Sequence, residues 1–295
     1  MKPIFSRFLA AAFLFGGAVQ ADDFVIDDAA LSKDFAHKLG AMVDEGHSIS
    51  GKKAGELLKT VVDKKIPLPE AAQPCSLESE GTVYEKCLPA VVAIGSVYKC
   101  GKCNDWHLGA FATGWILSSD GLIVTNHHVL QKEDNNTLGV MTVDGSVFPL
   151  KEILAANEAG DAAVFRVDTL GKKLPYLRMA AEGKVGEEIS IISHPKGRFY
   201  CLSEGVVSRF HSQAKSKNAK AIWMSVTADY AVGSSGGPVL NANGEVVGMV
   251  SSTLTATTGV PRGAEKTPQA AAAGTVQMVF KDCVSLATMR PMFNP

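Results

Sequence analysis

Short β-rich stretches separated by turn signals fill the chain after Leu88, and no other feature restricts its fold as much. The stretches are AVVAIGSVY, GWILSSDGLIVT, GVMTVDGSVFPL, AAVFRVD, EISIISH, LSEGVVSRF, AIWMSVTA and PVLNANGEVVGMVSST. Asp-Gly and Asn-Gly pairs, which favour tight hairpins, begin at Asp120, Asp144 and Asn243. The stretches are too many and too closely spaced for alternating strand and helix units, so the pattern predicts an all-β barrel or sandwich.

The first residues of the chain have the pattern of a secretory signal peptide. Lys2 and Arg7 precede a short apolar stretch, and the small residues Val19 and Ala21 fit a cleavage site after Ala21. The apolar stretch is too short for a comfortable membrane span. We therefore expect residues 1–21 to be removed during export, leaving no stable membrane anchor. A retained N-terminal anchor is the alternative.

The overall composition is that of a soluble globular protein. Of the 295 residues, 46% are hydrophobic, and the formal net charge is −1. This leaves room for a sizeable core and gives no surplus of positive charge for binding nucleic acid. We expect no nucleic-acid partner.

Residues 22–74 are predicted to form a helical segment and a linker that ends in the proline-rich stretch IPLPEAAQP. Apolar residues recur at helical spacing behind Asp27 and Asp28, and again behind Ser50, which indicates two amphipathic helices. These apolar residues are Leu31, Phe35, Leu39, Met42 and Val43, then Ala54, Leu57, Leu58, Val61 and Val62. Their faces pack on each other or on the main domain, or they form a docking or autoinhibitory segment.

A glycine- and serine-rich motif, GSSGGP, occupies residues 233–238. A serine nucleophile needs an exposed hydroxyl beside backbone N–H groups that can point at an oxyanion, and glycines permit the required turn. By itself, such a cluster before a strand is more often a plain turn. Its significance comes from two other motifs, VTNHHVL with His127 and His128, and GDAAVFRVD with Asp161.

TNHHV, GDAAVFRVD and GSSGGPV, in this order, resemble the three catalytic blocks of the chymotrypsin-fold (trypsin-like) serine peptidases, in the form of the bacterial HtrA/Deg-like branch. The resemblance covers residues 88–253 and implies two six-stranded antiparallel β-barrels after a short N-terminal α-helical segment. It implies a peptidase domain over residues 75–295. It also implies an exported bacterial protein, periplasmic or secreted, that needs no cofactor and acts on protein or peptide substrates.

The resemblance also implies the role of each site residue. His128 would be the general base, Asp161 would orient it, and Ser235 would be the nucleophile. The N–H groups of Gly233 and Ser235 would form the oxyanion hole. The expected reaction is peptide hydrolysis through an acyl-enzyme, which makes the protein a serine endopeptidase. The alternative is a non-catalytic or chaperone-like binding protein on the same fold.

Neighbouring residues offer other candidates for these roles. His127 is expected to be a bystander, although spacing alone does not separate it from His128. Asp144 lies in a hairpin turn and is better explained as a turn former. His194 is expected to be structural or solvent-facing, and Ser234 would be the nucleophile only if the glycine pattern shifted by one residue.

Substrate contacts are expected on both sides of the nucleophile. Asp229 lies six residues before Ser235, where the trypsin group carries a carboxylate that favours Lys or Arg side chains, although related bacterial peptidases carry an aspartate there without this preference. Ser251, Ser252 and Thr253 are expected to lie on an edge strand that pairs with extended substrate backbone.

Two departures from the HtrA pattern concern regulation. We expect no PDZ domain of the kind usual in that family, so regulation through such a domain is not carried over. The helical N-terminal segment and the cysteines are also atypical of the family, so the resemblance leaves oligomerisation open. No zymogen cleavage motif precedes Ala90. A competent site is therefore expected without a newly freed amino terminus.

All six cysteines lie in the part of the chain expected to be exported, where an even number favours disulfides. Sequence leaves the pairing open, but the cheapest loops join Cys75 with Cys87 and Cys100 with Cys103, leaving Cys201 with Cys283. The motif CGKCNDWH offers another possibility, since Cys100, Cys103 and His107 have acceptable spacing for three zinc ligands. No second Cys/His pair completes such a site at the usual spacing, so a small-loop disulfide is the favoured interpretation.

Overall fold

Two closed six-stranded antiparallel barrels make up most of the protein. The computed structural model describes residues 25–69, 81–131, 137–216, 219–258 and 275–294. The expected all-β class with two six-stranded barrels is confirmed. The predicted signal peptide and Cys75 lie outside the described residues.

The first barrel is built by the hydrophobic stretches in the first half of the β-rich region. Its strand order is β2-β3-β4-β7-β6-β5, and pairing of β5 with β2 closes it. Trp115, Phe148 and Phe165 are almost fully buried, as expected for side chains that fill a small barrel. The strands are β2 (Val91–Lys99), β3 (Trp106–Ile116), β4 (Leu122–Thr125), β5 (Thr137–Met141), β6 (Val147–Asn157) and β7 (Ala162–Val167).

The second barrel follows in the chain and closes by pairing of β9 with β10. Its strand order is β10-β13-β12-β11-β8-β9. The strands are β8 (Glu188–Ser193), β9 (Cys201–Ser216), β10 (Ala219–Val226), β11 (Pro238–Leu240), β12 (Val246–Thr257) and β13 (Val276–Ser285). Two short strands outside the barrels, β1 (Ile66–Pro67) and β14 (Phe293–Asn294), pair in parallel and join the linker to the end of the described chain.

The two predicted N-terminal helices are present. The first, α1 (Asp28–Asp44), is capped by Asp27, whose Oδ1 accepts from the N–H of Ala30 at 2.9 Å. The second, α2 (Gly51–Thr60), is capped by Ser50 and ends before Val62, which instead forms a parallel bridge with Ala156. Further helices are α3 (Val83–Cys87), α4 (His127–Leu130) and α5 (Leu286–Met289), and 3-10 turns occupy Leu88–Ala90, Pro195–Gly197 and Arg290–Met292.

The apolar face of α1 packs on the first barrel. Phe35 and Leu39 are fully buried, the first over Gly95 of β2 and the second over Gly139 of β5. These side chains therefore belong to the barrel's core, which is the main-domain packing that the sequence left as one alternative. In the described part of the chain, no helix is both long and apolar enough to cross a membrane.

Candidate active site

His128 and Asp161 meet at one edge of the first barrel. Strands β4 and β7 are antiparallel neighbours with Thr125 opposite Ala163, so the end of β4 and the start of β7 lie together. His128 lies in α4, directly after β4, and its Nδ1 is 3.0 Å from both carboxylate oxygens of Asp161. The backbone N–H of His128 also donates to Asp161 Oδ1 at 3.1 Å. The two predicted residues are therefore held together by three contacts.

The carboxylate of Asp161 is buried and is held in place by further donors. Its side chain is 10% exposed, and its φ of 52° places the backbone in the left-handed region. Ser251 Oγ donates to Asp161 Oδ2 at 2.5 Å, and Asn126 Nδ2 donates to the Asp161 carbonyl at 3.0 Å. Burial raises the pKa of Asp161. The hydrogen bonds and charge of His128, together with the hydrogen bond from Ser251, lower this pKa by more than burial raises it, so the net shift is downward.

Ser235 lies in the loop between β10 and β11 of the second barrel, which Thr113 of β3 joins to the first barrel. The N–H of Thr113 donates to the Ser235 carbonyl at 2.8 Å, and Thr113 Oγ1 donates to the Gly233 carbonyl at 2.8 Å. Gly236 has φ of 86°, and a Cβ there would lie 2.0 Å from the Thr113 carbonyl oxygen. Only glycine fits at this position, which explains part of the GSSGGP motif.

The backbone amides of Gly233 and Ser235 are available to a ligand. Within the described residues, neither N–H donates a hydrogen bond to a protein acceptor. Ser235 Oγ makes a long 3.4 Å bond to the Ser251 carbonyl. Both residues and His128 line a cleft of about 160 Å³. The other lining residues are Ile94, Ala110, Phe111, Ala112, Val129, Leu138 and Val232.

The other histidine and serine candidates lie in structural positions. His127 is 6% exposed, whereas about half of the His128 side chain is exposed in the cleft. Ser234 is fully buried, and its Oγ accepts a hydrogen bond from Ser193 Oγ at 2.9 Å. Neither His127 nor Ser234 lines the cleft with Ser235.

His194 and Asp144 also have structural environments. His194 is fully buried and its Nδ1 accepts from the N–H of Tyr200 at 3.0 Å. Burial lowers the pKa of His194 to about 3. Asp144 accepts from Thr142 Oγ1 at 2.5 Å and from the N–H of Ser146 at 3.0 Å, as expected for a turn former.

The predicted substrate-contact residues lie in different environments. Asp229 is 90% exposed and forms an ion pair with Lys281. Beyond Val250, β12 pairs only with β13 among the described strands, so its other edge is open, and Ser252 and Thr253 are exposed along it. These two residues are therefore placed where an extended peptide could pair.

The side chain of Ser251 has a different environment from the exposed side chains of Ser252 and Thr253. A register shift between Val250 and Ser252 makes Ser251 a bulge residue, and a bulge redirects a side chain. Ser251 is 8% exposed, and its hydroxyl is directed at Asp161. That hydroxyl holds the buried carboxylate, whereas the Ser251 carbonyl accepts from Ser235 Oγ. Substrate pairing through the Ser251 main chain stays a prediction.

Three residues of the site were missed from sequence. Thr113 holds the loop that carries Ser235, and Asn126 holds Asp161. The Tyr230 hydroxyl donates to the Ser252 carbonyl at 2.8 Å and to the Asp282 carbonyl at 3.1 Å. Asn126 is adjacent to the histidines in TNHHV, which was the one available signal. Thr113 lies in an ordinary β-stretch and becomes a site residue only because the two barrels meet there.

Four of the five described cysteines are free thiols, namely Cys100, Cys103, Cys201 and Cys283. Cys201 Sγ donates to the Arg198 carbonyl at 3.7 Å, whereas Cys283 is fully buried beside Tyr230, so the expected Cys201–Cys283 pair does not form. Cys87 is buried, and its expected partner lies outside the described residues.

The three residues of the CGKCNDWH motif lie together in the β2–β3 loop. The Sγ atoms of Cys100 and Cys103 are 3.4 Å apart, too far for a bond, so the favoured small-loop disulfide is not formed. Cys103 Sγ lies 3.0 Å from His107 Nε2.

Comparison with known proteins assigns the domain to one class. Residues 112–249 match the family model of the trypsin-like peptidase domain. The chain therefore carries a trypsin-like peptidase domain with the chymotrypsin fold. Its relatives identify this domain as HtrA-like, as the sequence motifs predicted.

Two relatives show the extent of the similarity. Serine protease HTRA1A of Danio rerio is 33% identical over 183 residues, which cover 60% of this chain and 37% of that protein. The "Probable periplasmic serine endoprotease DegP-like" of Chlamydia trachomatis serovar D is 34% identical over 144 residues, which cover 46% of this chain and 27% of that protein. The chain thus spans little more than a third of the first relative's length.

Proposed function

We propose that this protein is an exported serine endopeptidase in which Ser235, His128 and Asp161 form the catalytic triad. The observation that carries the proposal is the pairing of a half-exposed His128 with a buried Asp161 in the cleft that holds Ser235. The free amides of Gly233 and Ser235 in the same cleft support it. The relatives' names, serine protease and serine endoprotease, support the same reaction class.

In the acylation step, Ser235 Oγ attacks the carbonyl carbon of the scissile peptide bond while His128 Nε2 accepts the hydroxyl proton. The carbonyl electron pair moves to oxygen, and the C–N bond then breaks as His128 gives its proton to the leaving amine. The 3.4 Å bond from Ser235 Oγ to the Ser251 carbonyl is weak and easily exchanged. In deacylation, water repeats the sequence and releases the acid and free Ser235.

Asp161 and the two free amides stabilise the charges that develop during these steps. Asp161 accepts a hydrogen bond from the Nδ1–H of His128 and stabilises the imidazolium. The amides of Gly233 and Ser235 would receive the oxyanion, each contributing on the order of 3 kcal/mol to the transition state. Because these donors are fixed before substrate arrives, they need no reorganisation during the reaction.

The open edge of β12 would bind the substrate's extended backbone. Main-chain pairing along this edge supplies affinity with little sequence preference. Lys281 offsets the charge of Asp229, so we propose that the enzyme has no preference for Lys or Arg at the cleavage site. The substrates are unfolded or extended proteins and peptides.

Export is proposed from the signal-peptide pattern, and a relative whose name is periplasmic supports it. We also propose that the site is competent without zymogen cleavage. The His128–Asp161 contacts are present in the uncut chain, where Ala90 and Val91 are buried and continuous through a 3-10 turn into β2. N-terminal sequencing of the active protein should find a terminus near Asp22, and a terminus near Ala90 or Val91 would contradict this.

Labelling with a serine-directed fluorophosphonate tests the catalytic proposal. The wild type and a Ser252→Ala control, which alters an exposed serine, should both label and cleave an unfolded protein. Ser235→Ala should do neither while keeping its melting temperature. If the wild type neither labels nor cleaves, the alternative of a non-catalytic binding protein takes over.

The histidine assignment needs its own pair of variants. His128→Ala should lose labelling and cleavage, since no other imidazole is proposed to accept the Ser235 proton. His127→Ala should keep both after correction for any loss of folded protein, measured by circular dichroism. If His127→Ala is folded and inactive while His128→Ala is active, the assignment of the base is wrong.

A further inference from the structure

The tip of the β2–β3 hairpin brings together three side chains that the proposed peptidase mechanism does not use. Tyr98 pairs with His107 and Lys99 pairs with Trp106, so residues 100–105 form the connecting loop. Cys100 and Cys103 lie in this loop, and His107 lies one residue inside β3. Their donor atoms, two Sγ and one imidazole nitrogen, all lie within 4.8 Å of one another.

We propose that Cys100, Cys103 and His107 bind a Zn²⁺ ion, with the fourth position open to solvent. Two thiolates and an imidazole form a donor set that zinc prefers, and a Cys-x-x-Cys pair is a common source of two ligands. Tetrahedral zinc places two sulfurs about 3.8 Å apart and a sulfur and a nitrogen about 3.6 Å apart. The observed separations of 3.4 Å and 3.0 Å need only a small expansion of an exposed loop.

The base of the hairpin is braced, so the third ligand is held in position. The ring of Tyr98 lies 5.7 Å from that of His107, between centroids. Trp106 Nε1 donates to Asp44 Oδ2 at 2.9 Å, which fastens the hairpin to the end of α1, and Lys99 lies 4.7 Å over the Trp106 ring. An ordered imidazole loses little conformational freedom on binding an ion, which favours affinity.

A metal here would fix the outer end of the strand that forms one wall of the cleft. Ala110 and Phe111 line the cleft and follow His107 in β3. The proposed metal ligands do not line the cleft with Ser235 and His128. The ion would therefore lie apart from Ser235 and His128, and its loss should leave fluorophosphonate labelling of Ser235 in place.

Titration of the reduced, oxygen-free protein with Co²⁺ and then Zn²⁺ tests the site. One equivalent of Co²⁺ should produce thiolate-to-cobalt charge-transfer absorption, and one equivalent of Zn²⁺ should abolish it. Cys100→Ser and His107→Ala should each weaken Zn²⁺ binding by at least about 100-fold. Cys201→Ser, which removes a cysteine elsewhere, should bind like the wild type.

Three results would overturn the proposal. One is no cobalt spectrum from the reduced wild type. Another is unchanged Zn²⁺ affinity in a folded His107→Ala, because the third ligand would then be absent. The last concerns protein isolated from an oxidising host. A mass lower by two hydrogen atoms would show that Cys100 and Cys103 are joined, and failure of this protein to bind Zn²⁺ after reduction would contradict the proposal. Circular dichroism of each variant confirms that the exposed loop has changed without loss of the fold.

Discussion

Removal of the Ser251 hydroxyl should reduce catalysis without affecting substrate binding. Ser251 Oγ donates to Asp161 Oδ2 at 2.5 Å. Because Asp161 is 7% exposed, water does not easily replace this donor. A hydrogen bond to a charged group contributes about 1.5 to 3 kcal/mol. Ser251→Ala should therefore reduce the stabilisation of the transition state through Asp161 by about 2 kcal/mol, which corresponds to a rate lower by roughly 30-fold.

Steady-state cleavage of an unfolded protein or fluorogenic peptide measures this effect. We expect kcat to fall by roughly 30-fold with KM unchanged, since the Ser251 side chain faces Asp161 rather than substrate. The rate of fluorophosphonate labelling should fall in parallel. Ser252→Ala alters the next residue on the same strand, which is exposed, and should change neither parameter by more than about twofold.

Two results would refute this reasoning. Wild-type kcat in Ser251→Ala would show that Asp161 does not depend on this donor. A rise in KM with kcat unchanged would show that the Ser251 side chain contacts substrate. Equal melting temperatures of the two variants rule out a general loss of folding as the cause.

Further predictions concern stability and specificity. Because burial lowers the pKa of His194 from 6.5 to about 3, the folded state resists a proton that the unfolded state binds, so stability should be full above pH 6.5 and fall by up to about 1.4 kcal/mol per pH unit below it. Urea unfolding of His194→Gln should show a flatter acid dependence, and an unchanged slope would contradict the assignment. Phe35→Ala should lower the free energy of unfolding, measured in urea, by about 3 to 5 kcal/mol, and Leu31→Ala should lower it by less because Leu31 is partly exposed. Unchanged stability with altered activity would instead support an autoinhibitory α1. Lys281→Ala should remove the cation paired with Asp229 and raise cleavage after Lys or Arg by about tenfold. Adding Asp229→Asn should remove this increase.

The fold class and the three motifs that carry the proposed triad were readable from the sequence because they are local. Turn pairs and β-rich stretches predict strands wherever they occur. The motif GSSGGP is recognisable because its backbone requires glycine, as at Gly236, where a Cβ would clash with the Thr113 carbonyl. The helices before the barrels were also predictable from spacing and caps at Asp27 and Ser50. Spacing could not say that α1 packs on β2 and β5, since any apolar surface satisfies such a stripe.

What depended on contacts between distant parts of the chain required the tertiary structure. Adjacent residues such as His127 and His128 look equivalent in sequence, but α4 buries one and leaves the other half-exposed beside Asp161. The bulge that turns Ser251 toward Asp161 has no local signal, because it depends on the register between β12 and β13.

The cysteines show the same division between sequence and structure. An even number in an exported chain predicts disulfides, but pairing depends on where the strands bring each thiol. Cys283 is sealed in the second barrel, away from the Cys201 thiol, while the β2–β3 hairpin gathers Cys100, Cys103 and His107. The sequence by itself determined which chemical groups were available and the strands that carry them. The tertiary structure decided which groups meet, because pairing register and barrel closure set the distances over which charge and hydrogen bonding act.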